Sequence, residues 1–216
     1  MDAERLIFAC ATTAEERAAR RAGLRTARIG LRGATGLPDG ELVSFGLAGA
    51  LHDGLHVGDV LDATRVVDSA GVTLWEGSPL GVRGARTATV LASDVLVHDA
   101  SERRRLHETS GADAVDMESG VLAASGRLAG VVRAISDVPA SAVEGVDATV
   151  RADGSTDVVG LLRWVAANRG DALRAMRDAL TALRALQRLG PGGTAWSRPE
   201  PPEMSDVGAP PRGCAA

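Results

Sequence analysis

An α/β fold, with a mixed or parallel central sheet and helices on both faces, is predicted by three observations. The chain opens on an apolar run that passes directly into a helical one. Apolar runs of strand length then alternate with helix-spaced ones, and polar or Gly-containing pieces recur where those runs end. "RLIFACA" (5–11) reads as a buried first strand. "TTAEERAARRAG" (12–23) is the helix it enters, with Thr12 or Thr13 as cap, acids in the first turn and Gly23 as stop. "TARIGL" (26–31) and "ELVSFGL" (41–47) follow as strands, "HVGDVLDATRVV" (56–67) and "GVTLWEG" (71–77) as a pair, and "ARTATVLASD" (85–94) as another strand. "SERRRLHETSG" (101–111) and "VDMESGVLAASGRLAG" (115–130) read as helices, and "VVRAISD" (131–137) as the last buried strand. From Asp157 to Leu189 the pattern is helical with a break near "NRGD"; Leu173, Met176, Leu180, Leu183 and Leu186 recur at helix spacing, with Arg174, Arg177, Arg184 and Arg188 between them.

With 216 residues, 45% hydrophobic and 24% charged, the chain suits one globular domain of ordinary size over 1–189, followed by a Pro/Gly-rich tail over 190–216 without apolar periodicity, expected to be disordered. A net charge of −4 lacks the electrostatic footprint of a nucleic-acid binder and favours small-molecule partners. Cys10 and Cys214 lie at opposite ends and form no CxxC pair, so neither a disulfide framework nor a zinc knuckle is expected. Acidic residues precede the first apolar run, the reverse of a secretory signal, and a cytoplasmic location is expected. Arginine supplies every basic residue and Tyr is absent, which deprives any pocket of phenol chemistry.

Four pieces stand where strands should end, the usual ligand position in open α/β sheets. They are Glu15, the Gly-rich loop "SFGLAGAL" (44–51), "AVDMESG" (114–120), and "RAISD" ending at Asp137. Each has a plain structural alternative: Asp116 and Glu118 as helix caps, Gly46 and Gly49 as turn formers, Glu15 as helix-start charge, Asp137 as a turn residue before Pro139. Together they suit cleavage of a glycosidic bond between ribose and a purine. That reaction builds positive charge on the sugar and negative charge on the departing base, so it needs a proton donor at the base and acceptors around the sugar. Asp137 would serve the base, Glu118 would accept from the ribose hydroxyls and oppose the forming cation, and Glu15 would orient or deprotonate water. An ordinary aspartic acid, with pKa about 3.9, is protonated only about one time in a thousand at pH 7. Asp137 must therefore be buried or receive its proton with the substrate.

"SFGLAGAL", "GLHVGDVLDATRVV", "GADAVDMES" and "RAISD" resemble the purine and uridine phosphorylase superfamily, in its branch with the methylthioadenosine/S-adenosylhomocysteine nucleosidases. Within that branch "FGLAGAL", Ser93–Asp94, "LHETSGADAVDMES" and "RADGSTDVVGLLRWVAANRGDALRAMRDA" are most similar to the hopanoid-associated nucleosidases, which remove adenine from adenosylhopane. The resemblance spans Leu6 to Leu189. It implies a three-layer nucleoside phosphorylase-like fold with a mixed central sheet, and a homo-oligomer. It implies Asp137 and Glu15 as catalytic residues. Glu118, Met117, Asp116, Gly46, Leu47, Ala48, Gly49 and Ser136 would bind a purine nucleoside, free or lipid-linked. No cofactor or metal is implied, with inorganic phosphate as co-substrate if the chain is a phosphorylase. The chain departs from the pattern at Ala50, where a glycine is common, and at Leu47, where related nucleosidases carry serine. No aromatic stands near "SDVLVHD" to stack on the base, leaving Leu96 or Val97 for that contact.

Of the remaining signals, His52 and His56 form a loop HxxxH without further metal ligands, and His98 and His107 receive no role. Arg65 and Arg133 are phosphate ligands in a phosphorylase and ion-pair partners otherwise. The 173–186 apolar stripe either packs on the sheet or, flanked by arginines, lies on a membrane surface and receives a hydrocarbon-bearing substrate.

Overall fold

A computed structural model describes residues 5–141, 151–155, 157 and 168–189. The expected 190–216 tail and the expected helical stretch 158–167 lie outside the described residues. Eight strands, β1 (Ile7–Cys10), β2 (Thr26–Arg28), β3 (Leu42–Ala50), β4 (Val60–Val67), β5 (Thr73–Glu76), β6 (Arg86–Ala92), β7 (Ala114–Asp116) and β8 (Leu128–Asp137), form one mixed sheet. Around it stand α1 (Thr13–Arg21), α2 (Ala100–Ser110), α3 (Ser119–Ala124) and α4 (Arg169–Gln187).

The path runs β2-β1-β3-β7-β6-β4-β5, and β8 pairs with β3 on one side and β4 on the other. That double pairing closes β3, β7, β6, β4 and β8 into a ring. All five of its strands contribute to one small-residue cluster: Ala48 and Ala50 from β3, Leu61 from β4, Ala88 from β6, Ala114 from β7 and Ile135 from β8. Both faces of β1 are buried. Phe8 and Cys10 pack with Ala18, Ala19, Ala182 and Leu186 of α1 and α4, while Ile7 and Ala9 pack with the cluster that holds Leu122 of α3. This is why the first strand reads as a continuous apolar run rather than an alternating one.

Local chemistry explains the elements that matter for the site. Thr12 caps α1 in a reciprocal capping box: its side chain accepts from the Glu15 N–H, and the Glu15 carboxylate accepts from the Thr12 N–H. Gly111, left-handed with φ of 68°, ends α2.

Three expectations need correction. "SFGLAGAL" is not a loop: residues 44–50 continue β3, and neither Gly46 nor Gly49 takes a positive φ. "VDMESGVLAASGRLAG" is not one helix, because Ala114–Asp116 pairs in parallel with β6, leaving a helix of six residues that stops before Gly126 (φ 68°) and the start of β8. Pairing in the sheet overrides the helical period there. The 173–186 stripe does not pack as a unit: Leu186 is buried, but Leu173, Met176 and Leu180 point outward, and the inner face of α4 is built from Ala172, Asp178, Ala182 and Leu186.

Candidate active site

The C-terminal ends of β1, β3, β7 and β8 meet the loop over 93–99 and one face of α4 around a cavity of about 260 Å³. Glu15, Leu47, Ala48, Gly49, Asp116, Met117, Glu118, Ser136 and Asp137 all line it, so nine of the ten residues singled out from sequence converge on one space. Gly46, the tenth, lies behind that wall. A Cβ there would stand 2.3 Å from Glu15 Oε1 and 2.7 Å from Arg133 Nη1. The glycine serves side chains crossing the strand, not a turn.

At one end of the cavity Glu15, Asp116 and Glu118 surround Arg133, and all four are buried. Asp116 receives Arg133 Nη2 at 2.5 Å, together with the Ser119 N–H at 3.0 Å and the Ser119 hydroxyl. It therefore does the helix-start work at α3. Glu118, although it occupies the cap position, makes no capping bond; its Oε2 is 3.8 Å from Arg133 Nη2 and its Oε1 accepts from the Arg32 N–H at 3.3 Å. Burial pushes the Glu118 carboxyl up to about 7, against the lowering pull of Arg133 and with further upward push from Asp116 and Glu15. Glu15 accepts from the Thr12 N–H and hydroxyl through Oε2 and from the Leu47 N–H through Oε1. Arg133 also donates to the Ser44 hydroxyl at 2.5 Å, while its buried Nε and Nη1 have no hydrogen-bond partner among the described residues.

At the other end Asp137 Oδ2 is 2.5 Å from Arg103 Nη2, and its Oδ1 accepts from the Ser136 hydroxyl at 2.8 Å. Its side chain is 31% exposed, so the carboxylate is half-buried rather than enclosed. Between the two ends the walls are apolar: Leu31, Leu47, Val95, Leu96, Val97 and Met117. Leu96 and Val97, the two residues left for contact with the base, both line the cavity. His98 lines the cavity too.

Sequence reasoning missed Arg103, which had a legible signal: in α2 it shares a buried face with Leu106 and Ser110, at helical spacing, while its neighbours Arg104 and Arg105 face solvent. It also missed Arg32, whose N–H reaches Glu118 only because the residue sits at φ 53°, ψ 28°. Nothing in "GLRGATG" announces that conformation. The other candidates go elsewhere. His52 Nε2 faces Asp113 at 3.2 Å while its Nδ1 accepts from the Gly54 N–H, the His107 ring lies tilted against it with centroids 4.5 Å apart, and Arg65 lies opposite Glu76 in the β4/β5 pairing. Among the described residues, no group of three His, Cys, Asp or Glu is placed to hold a metal ion, and no helix is long and apolar enough to cross a membrane. The buried Cys10 thiol is pushed well above its usual range by burial, with Glu15 adding to the effect.

No protein-family model matches the sequence, and no curated protein matches it. Solved structures do match in fold. The 5'-methylthioadenosine/S-adenosylhomocysteine nucleosidase from Helicobacter pylori with butyl-thio-DADMe-Immucillin-A superposes with a TM-score of 0.58 at 14% identity, over 88% of this chain and 98% of that one. A mutant of the same bacterium's nucleosidase with 5'-methylthioadenosine in the active site gives 0.54 at 15% identity, over 86% and 97%. Futalosine hydrolase of Helicobacter pylori gives 0.56 at 15% identity, over 87% and 97%. The described residues have the mixed-sheet α/β fold of these nucleosidases.

Proposed function

We propose that this chain cleaves the N-glycosidic bond of a 5'-modified adenosine and releases adenine. The observation that carries the reading is the charge pattern of one cavity: a buried acidic cluster at one end, and at the other a solvent-reachable carboxylate held by an arginine. Ribose set against Glu118 and Met117 would place its forming cation beside the cluster, with the purine toward Asp137 and Ser136. As the C–N bond breaks, its electron pair goes to the base, which takes a proton from Asp137; that proton arrives with the substrate. Water then adds to the anomeric carbon and gives a proton to Glu15. Asp116 fixes Arg133, and Leu47, Ala48 and Gly49 form the backbone wall along the nucleoside, with Gly46 giving Glu15 its room. The solved structures of like fold support the substrate class by what they carry: 5'-methylthioadenosine in one, a nucleoside analogue in another.

Arg133 Nε and Nη1, without a partner among the described residues, favour a second reading, a phosphorylase with inorganic phosphate as nucleophile. Three carboxylates around that guanidinium oppose a further anion, so water is preferred. For the 5' group we favour adenosylhopane, on the sequence resemblance together with the apolar cavity walls; methylthioadenosine, S-adenosylhomocysteine and futalosine are the alternatives. The outward Leu173, Met176 and Leu180, beside the exposed Arg174 and Arg177, favour contact with an anionic membrane surface from the cytoplasmic side. Absence of flotation with anionic liposomes at low salt would remove that contact. A homo-oligomer is expected from the resemblance alone, and sedimentation would measure it.

The deciding experiment is adenine release from detergent-dispersed adenosylhopane, with and without phosphate, beside methylthioadenosine and futalosine. Release from the hopanoid alone supports the finer reading, and phosphate dependence selects the nucleophile. Release from a soluble nucleoside alone keeps the chemistry and discards the lipid. Release from none leaves a nucleoside-binding module in which Asp137 is idle.

A further inference from the structure

The loop over 93–99 and the carboxylate of Asp137 are joined through one buried side chain. Arg103 is 4% exposed, and each of its three nitrogens has a different anchor. Nε donates to the Val97 carbonyl at 2.9 Å, in the loop; Nη1 donates to the Ala50 carbonyl at 3.1 Å, at the end of β3; Nη2 meets Asp137 Oδ2 at 2.5 Å, at the end of β8. Room for this arrangement comes from Gly49, where a Cβ would stand 3.0 Å from Arg103 Nη1 and 3.1 Å from Asp137 Oδ2. A planar guanidinium held by two carbonyls presents its third bond in a set direction, so the positions of Val97 and Ala50, together with the Ser136 hydroxyl on Oδ1, aim the Asp137 carboxylate.

We propose that Arg103 is a positioning residue for Asp137, and that through it the apolar loop bearing Leu96 and Val97 governs the alignment of the acid. Asp137 is the one acidic partner that Arg103 has among the described residues. Val97 both lines the cavity and carries the carbonyl that holds Arg103 Nε. A substrate that presses on the loop therefore acts on the acid as well as on its own binding. This coupling makes the fit of the base or its 5' group visible in turnover rather than in affinity alone, and it rests on the nucleosidase reading given above.

The test is a kinetic cycle of R103M, R103K, D137N and the R103M/D137N double variant, each assayed for adenine release from the nucleoside that wild type accepts. Thermal unfolding is followed in parallel to confirm that each protein is folded. Misaligning the acid by about 1 Å lowers kcat by about 100-fold in R103M, with KM within about threefold of wild type. R103K, which keeps the charge and one donor, recovers part of that loss. In the D137N background R103M has no further effect on kcat, since there is no acid left to align. Equal losses from R103M with and without Asp137 would show a scaffold role only and overturn the proposal, as would an unchanged kcat in folded R103M. Should R103M not fold, R103K carries the same cycle against D137N. Wild type that releases adenine from no nucleoside overturns the nucleosidase reading itself, and the inference with it. An active wild type with an additive cycle overturns the inference alone.

Discussion

At one end of the cavity one guanidinium is paired with Asp116 and Glu118 and feels the charge of Glu15 as well; at the other, one carboxylate pairs with a guanidinium that has no second acidic partner among the described residues. The first group is buried and over-supplied with negative charge, so part of that charge is suppressed: Glu118 is held up to about 7. The second is balanced, and its carboxylate reaches solvent. A positive charge forming beside the first group would draw Glu118 into its ionised form and gain from all three acids, whereas one forming beside the second would find no surplus. The cavity is thus polarised along its length, and under the proposed function that polarity sets the forming cation toward Glu118 and the departing base toward Asp137.

The severest way to break this comparison is Asp137→Asn. Loss of a general acid lowers kcat by about 100-fold or more. If adenine release from the accepted nucleoside were unchanged, the balanced end would have no part in the chemistry and a binding module would be the better reading.

Glu118→Gln tests the other end. A hydrogen bond to a charged group is worth roughly 1.5–3 kcal/mol, so kcat/KM falls by about 10- to 100-fold. The same variant reads the suppressed charge through stability. The Glu118 carboxyl rises from an ordinary 4.5 to about 7 on folding. Below both values it is neutral in the folded and the unfolded chain; between them the folded chain alone holds the proton. Stability therefore falls as pH climbs from 4.5 towards 7, with the loss complete above about 7. Thermal unfolding midpoints at pH 5 and pH 8 should drop by more in wild type than in Glu118→Gln. Equal drops in the two proteins would mean that the acidic end carries no suppressed charge.

Two glycines on β3 sharpen the contrast, because each sits under one end. Gly46→Ala puts a methyl group 2.3 Å from Glu15 Oε1 and 2.7 Å from Arg133 Nη1, with both side chains fixed by other bonds. It should cost about 1–3 kcal/mol of stability, measured by denaturant unfolding. Gly49→Ala meets Arg103 Nη1 and Asp137 Oδ2 at 3.0 and 3.1 Å, a crowding relieved by a shift of a few tenths of an ångström, and should cost less. The reverse order would place the tighter packing at the balanced end.

These glycines also mark how far the sequence was legible. "SFGLAGAL" was recognisable as a site segment, because small residues at a strand end permit close approach, but whether they serve a turn or a crossing side chain depends on Glu15 and Arg133, distant in sequence. The strand-into-helix opening and the capping residue Thr12 were legible because their causes are local. The 115–130 segment was misread because the cause of β7 is not local: its pairing with β6 is what makes Ala114–Asp116 a strand. Asp137 was legible as a candidate acid; the inward face of Arg103 was legible too, from its helical spacing to Leu106 and Ser110, but not that its guanidinium meets Asp137 across two elements. Residue identity at strand ends survives in sequence; the pairing of charges across elements does not.

The smallest effect is expected at Arg32, which holds Glu118 from outside the acidic cluster. Its backbone sits at φ 53°, ψ 28°, a left-handed conformation, with its N–H donating to Glu118 Oε1, while its guanidinium donates to the Asp94 carbonyl at 2.9 Å. Arg32→Ala and Arg32→Gly both remove the guanidinium and both keep the N–H, so they differ only in how the backbone bears that conformation. A left-handed residue with a Cβ costs roughly 1–2 kcal/mol, and the extra freedom of glycine in the unfolded chain offsets up to about 1 kcal/mol of the relief. Arg32→Gly should therefore be more stable than Arg32→Ala by about 0.5–1 kcal/mol in denaturant unfolding, with equal KM values. Equal stabilities would mean that the turn relaxes once the side chain is gone. The bond to Asp94, rather than the backbone around Gly30 and Gly33, would then be what aims the N–H at Glu118.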